Sequence, residues 1–191
     1  SENGALLGNL SKTQQINYDT MAYGQGISVT PIQMIRALGA LANGGSMVQP
    51  HLVSAIRLNS GIERKLDWSE ITPVFGANVA RETAEMMTAV VDEKLDGGKA
   101  KIPTMSVAAK TGTAQLTNGQ GGYYTDRYFH SFVGFFPSYS PRFIILLYTK
   151  DPQNVTYASD TLGSTFLDLT HFLIDYYVVP PDRGFATTTP S

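Results

Sequence analysis

The chain has 191 residues, 42% hydrophobic and 16% charged, with a formal charge of −2 and no cysteine. This suits one globular domain with a proper core and a rather neutral surface; without any basic run it argues against nucleic acid and anionic membrane surfaces as partners. Disulfide and thiolate chemistry are excluded, and the longest apolar run, Phe143 to Tyr148, falls far short of the roughly 18 residues of a membrane span.

In chain order, Thr30 reads as an N-cap, with Pro31 at the first helical position and Gln33 completing a capping box. Ile32, Ile35, Leu38 and Leu41 then recur at helical spacing and predict a core-packed stripe. Asn43-Gly44-Gly45 ends the helix, because Asn and Gly tolerate the left-handed conformation. His51 to Leu58 predicts a short strand, and a weaker polar stretch with the lone Trp68 follows. Val79 to Val91 repeats the helical pattern through Val79, Thr83, Met86, Met87, Val90 and Val91, with the Met pair read as core filler. Gly97 and Gly98 break the chain, and the small apolar Val107-Ala108-Ala109 leads a strand into Lys110. Leu116 to Arg127, with Gly119, Gly121, Gly122 and the Tyr123-Tyr124 pair, predicts a mobile loop between two strands. Tyr128 to Phe136 and Phe143 to Tyr148 predict strands joined by a turn around Ser138-Tyr139-Ser140-Pro141. The second is apolar at consecutive positions, as a central strand covered on both faces is. Thr165 to Tyr177 predicts a final helix with Phe166, Leu169, Phe172 or Leu173, and Tyr176 inward; beyond Val178, Pro, Thr and Gly predict a frayed tail. Helix, consecutive strands, then helix imply an α+β fold with helices packed on an antiparallel sheet.

Lys110-Thr111-Gly112-Thr113, running into Ala114-Gln115, carries the most chemistry. A Lys-Thr-Gly triplet is a signature motif of penicillin-recognising serine acyl transferases. Lys110 offers a fixed positive charge to a substrate carboxylate, and the hydroxyls of Thr111 and Thr113 can hydrogen-bond it. Gly112 has no Cβ, so a substrate backbone can approach. The bare triplet equally fits an ordinary strand ending in a turn, and the surrounding text decides between the two. The block from Met21 to Met34, containing Tyr23-Gly24-Gln25-Gly26, precedes Ala42-Asn43-Gly44-Gly45, then Lys110 to Gln115, then Phe132-Val133-Gly134-Phe135-Phe136-Pro137. In that order these blocks resemble class B penicillin-binding proteins, the monofunctional peptidoglycan transpeptidases of bacterial division and elongation, from about Glu2 to about Pro181.

The resemblance implies the transpeptidase/β-lactamase fold, a five-stranded antiparallel sheet flanked by helices, with its N-terminal part outside this sequence. It implies a domain portion over residues 1–180 and a flexible tail over 181–191. It also implies a D,D-transpeptidase that works through an acyl-serine: Lys110 and Thr113 catalytic, Lys110, Thr111, Gly112 and Thr113 on the substrate, and the Thr113 N–H as half of the oxyanion hole. No metal or organic cofactor is implied. The implied partners are peptidoglycan stem peptides, β-lactams, the N-terminal remainder of the same protein and division or elongation proteins, at the extracytoplasmic face of a membrane to which an N-terminal helix anchors it. The family's Ser-x-x-Lys nucleophile motif does not occur in these residues. Ser1-Glu2-Asn3 matches Ser-x-Asn formally, but it lies only about twenty residues before the Tyr23 block, where the family places a helix and a further loop. The chain therefore reads as the C-terminal part of a transpeptidase domain. Its rivals are a serine β-lactamase or β-lactam sensor of the same fold, and a non-catalytic division scaffold.

Other candidates are weaker. Gly24-Gln25-Gly26 lacks the third glycine and the preceding strand of a dinucleotide fingerprint and reads as a turn. His51, His130 and His171 show no metal-ligand spacing. His171 belongs to a solvated helix face, and His130, at the head of a strand near the site, is the one histidine placed for function.

Overall fold

The computed structural model describes residues 8, 15–21 and 24–184. Ser1-Glu2-Asn3, Tyr23 and the tail from residue 185 lie outside the described residues. In chain order come helices α1 (Gln15–Met21) and α2 (Pro31–Ala42), strands β1 (Ser46–Val48), β2 (Ala55–Arg57), β3 (Glu63–Lys65) and β4 (Ile71–Pro73), then helix α3 (Ala77–Ala89). Strands β5 (Ala108–Thr117), β6 (Tyr123–Phe136) and β7 (Phe143–Lys150) and helix α4 (Ala158–Tyr176) complete the molecule. No helix among the described residues is long and apolar enough to cross a membrane.

The principal sheet is antiparallel in the order β5-β6-β7, and β1 with β4 and β2 with β3 form separate two-stranded pairs. The described residues thus supply three strands to a sheet expected to have five. The centre is β6, whose Phe132, Val133, Phe135 and Phe136 are all buried. Strand β7, expected at the centre from its run of apolar residues, stands at the edge of the sheet among the described residues, and Phe143 to Leu147 are only half-buried.

Both faces of β5 and β6 are covered where the strands enter the core. On one face α4 lays Phe166 over Gly134, and the Phe132 and Phe166 rings stack with centroids 4.4 Å apart. A Cβ at Gly134 would sit 2.4 Å from the Phe166 ring, so this glycine is what lets the helix reach the sheet. Val91, Ala109, Phe136 and Leu162 extend that core. On the other face Ala84 and Met87 of α3 meet Ala108 and Phe135. Each large side chain taken from water here contributes roughly 1.5–3 kcal/mol.

Helix α2 begins as expected. The Thr30 hydroxyl accepts the Gln33 N–H at 3.2 Å, and the Gln33 side-chain oxygen accepts the Thr30 N–H at 3.0 Å. Its stripe is not fully internal: Ile32 is exposed and Ile35, Leu38 and Leu41 are half-buried. In α3 the buried face is Ala80, Ala84, Met87 and Thr88, with Val91 beyond, while Val79 and Met86 are exposed. Small alanines bring this helix close to the sheet, and a pattern built on large apolar residues alone misses them; of the Met pair only Met87 fills the core.

Four further expectations are corrected. Leu116 to Arg127 is mostly strand: β5 runs to Thr117, β6 starts at Tyr123, and Asn118 Oδ1 closes the short turn by accepting N–H bonds from Gln120 and Gly122. The final helix starts at Ala158, well before Thr165. Phe166, Leu162 and Thr170 face inward from it, while Leu169, Phe172 and Tyr176 are exposed. The chain beyond Val178 is not frayed as far as it is described, to residue 184. Val179 is buried; the Asp182 carboxylate accepts the Ser106 N–H at 2.7 Å and the Ser106 hydroxyl; Arg183 forms a two-pronged pair with Asp92, at 3.1 and 2.6 Å. This strap crosses the head of β5.

Candidate active site

Lys110, Thr111, Gly112 and Thr113 lie on β5 just where it leaves the core. Ala108 and Ala109 are fully buried, and Lys110 is exposed. Among the described residues the strand pairs with β6 on one side only, which leaves its other edge for a ligand. Opposite residues are Lys110 and Val133, Thr111 and Phe132, Gly112 and Ser131, Thr113 and His130. Side chains alternate along a strand. Lys110 and Gly112 therefore share the α3 face with Ala108, and Thr111 and Thr113 share the α4 face with Ala109. A ligand touched by both Lys110 and the threonines must lie against the strand edge, where the two faces meet.

Lys110 Nζ donates to the Thr111 carbonyl at 2.8 Å, and no carboxylate among the described residues pairs with it. Its charge is left for something brought to the edge. A Cβ at Gly112 would lie 2.5 Å from Ser131 Oγ, so a side chain there requires that hydroxyl to turn away. The Thr113 hydroxyl oxygen accepts the N–H of Ala158 at 3.2 Å. Helix α4 has no cap from its own Tyr157, and Thr113 supplies one from the neighbouring strand.

His130 is wholly buried beside Thr113. Its Nδ1 lies 2.9 Å from Thr161 Oγ1 and its Nε2 3.0 Å from the Thr156 carbonyl. His171 is exposed on α4, as expected, and His51 stacks on Trp68 at 4.8 Å, a pairing not foreseen. Beyond the hairpin end of the site lies an open polar cavity of about 480 Å³ lined by residues 125–128 and 151–156. There Arg127 Nε donates to both Asp151 oxygens, at 3.1 and 3.0 Å, and holds that carboxyl below the usual carboxylate range.

The penicillin binding protein transpeptidase domain matches residues 2–170 of the chain. The chain is 28% identical to penicillin-binding protein PbpB of Mycolicibacterium smegmatis over 96% of its own length and 30% of that protein. It is 28% identical to a peptidoglycan D,D-transpeptidase FtsI homolog of Mesostigma viride over 84% of its length and 29% of that protein. A crystal structure of penicillin binding protein 3 of Mycobacterium tuberculosis, complexed with aztreonam, superposes with a TM-score of 0.81 at 26% identity, covering 96% of this chain and 43% of that one. The chain therefore spans about a third of the length of these curated relatives.

Proposed function

The chain belongs to the penicillin-binding protein transpeptidase domain family, and from that premise we propose that it is the part of a peptidoglycan D,D-transpeptidase that carries the substrate-binding strand. The observation that carries this reading is the exposed, unpaired Lys110 beside two threonine hydroxyls on an open sheet edge. Such an edge accepts an extended peptide by main-chain hydrogen bonding, as a stem peptide ending in D-Ala-D-Ala requires.

In this reading Lys110 faces the terminal carboxylate of the donor stem, and Thr111 and Thr113 hydrogen-bond it. A serine from a Ser-x-x-Lys segment beyond these residues attacks the carbonyl between the two D-alanines. Its proton passes to the adjacent base, the terminal D-alanine leaves as the amine, and an acyl-serine remains. An amine of a neighbouring stem then displaces the serine and closes the crosslink; water in its place gives carboxypeptidase turnover. The Thr113 N–H stabilises the oxyanion, an interaction whose loss typically costs about 2.7–4 kcal/mol of transition-state binding. β-Lactams enter the same edge through their own carboxylate and acylate the serine. The FtsI-type name of a relative supports action at division, and on this reading the protein works at the extracytoplasmic face of an anchoring membrane. The intact block from Lys110 to Gln115 favours an enzyme over a scaffold.

Lys110→Ala in the full-length protein tests the reading. It is expected to abolish labelling by a fluorescent penicillin while leaving the melting temperature unchanged, because the side chain is exposed and contacts only its neighbour's carbonyl. Labelling at the wild-type rate removes Lys110 from the site, and rapid release of hydrolysed penicillin by the wild type replaces the transpeptidase with a β-lactamase.

A further inference from the structure

We infer that His130 is a positioning residue that holds the Thr113 hydroxyl as a hydrogen-bond donor to the ligand carboxylate; this rests on the carboxylate-binding reading of β5.

Thr113 and His130 are directly opposed in the β5–β6 register, so their side chains share the α4 face. His130 is completely buried, and both of its ring nitrogens are engaged by the segment that begins α4. The Thr156 carbonyl can only accept, so Nε2 carries a proton, and Nδ1 meets the Thr161 hydroxyl, whose own proton it shares with the Ala158 carbonyl 3.2 Å away. These two bonds grip α4 on either side of Ala158. The Ala158 N–H, thereby fixed, points at Thr113 Oγ1.

The consequence concerns a single proton. A hydroxyl has one proton to give and two lone pairs to receive with. With one lone pair of Thr113 held by Ala158 N–H, and no acceptor among the described residues taking its proton, the O–H is left to donate outward. A carboxylate at the open edge is what such a donor serves, and the bond is charge-assisted. Without the grip of His130, the start of α4 is free to shift, Ala158 N–H no longer fixes the hydroxyl, and the Thr113 proton can turn to a backbone carbonyl instead.

The experiment compares acylation of the full-length protein by benzylpenicillin and by its methyl ester, which lacks the carboxylate charge. The proteins are the wild type, Thr113→Val, His130→Phe, the double variant and His130→Gln. Phe keeps the ring volume and removes both hydrogen bonds; Gln restores a donor at the Nε2 position. His130→Phe is expected to slow acylation by the acid roughly tenfold, about what one charge-assisted hydrogen bond contributes, and acylation by the ester less than twofold. Adding His130→Phe to Thr113→Val is expected to cost nothing more, and His130→Gln to recover most of the rate with the acid. Equal slowing with acid and ester in His130→Phe, or strict additivity in the double variant, overturns the inference and leaves His130 as packing. If Thr113→Val itself fails to separate acid from ester, the carboxylate-binding reading falls, and the role of His130 falls with it. If His130→Phe melts far below the wild type, His130→Gln decides alone: retained selectivity for the acid supports the inference, and loss of it overturns it.

Discussion

The sheet with α3 and α4, and the segment between α2 and α3, both carry apolar side chains and end up in opposite conditions. In the first, Phe132, Phe135, Phe136, Phe166 and Met105 are all but inaccessible to water. In the second, β1 pairs with β4 and β2 with β3, yet Leu52, Val53, Ile56 and Ile62 are exposed. A two-stranded pair has no layer to bury its apolar side chains against. A strand contributes stability when a helix covers it, and the helix covers it when a small residue such as Gly134 or Ala84 gives it room. The candidate site follows the same division, since Lys110 to Thr113 occupy the point where the covered strand emerges at an edge left unpaired by the described residues.

Three measurements sharpen or break that comparison. Phe166→Ala is expected to show the largest effect, about 3–5 kcal/mol in chemical denaturation of the full-length protein, because the ring fills the space above Gly134. A loss below about 1 kcal/mol would erase the distinction between the two regions. Asp182→Ala is expected to fall between, at about 1–3 kcal/mol, since it leaves the N–H and hydroxyl of fully buried Ser106 without their acceptor. An unchanged denaturation midpoint would make the strap across β5 incidental. Leu52→Ser is expected to be smallest, within about 0.5 kcal/mol, and a larger loss would mean that the short-stranded segment has a core of its own.

Local features of the fold were legible in the sequence where the chemistry is local. The Thr30–Gln33 capping box, the break at Gly97-Gly98 and the strand carrying Lys110 depend on neighbours a few residues apart, and they stand where the sequence puts them. What the sequence hid depends on residues far apart. The start of α4 was missed because its cap is Thr113, forty-five positions away, and not Tyr157. The chain beyond Val178 reads as loose by composition, while Asp182 and Arg183 find partners at Ser106 and Asp92. The glycines of residues 119–122 suggested a wide loop, and the β-forming Tyr123-Tyr124-Thr125 that follow took much of it into β6. In the site, Lys110, Thr111, Gly112 and Thr113 came from a motif. The grip of His130 on α4 came only with the fold, because one loop carbonyl and one helix hydroxyl have no signature by which spacing could announce them.

The strap also sets an order of events during synthesis. Ser106 leaves the ribosome 76 residues before Asp182, its acceptor, an interval of roughly 4–15 s at translation speeds of about 5–20 residues per second. During that time Ser138 can already donate to the Ser106 hydroxyl and carbonyl, while the Ser106 N–H and O–H still lack their acceptor. The head of β5 therefore gains its last hydrogen bonds only when the strap has been made.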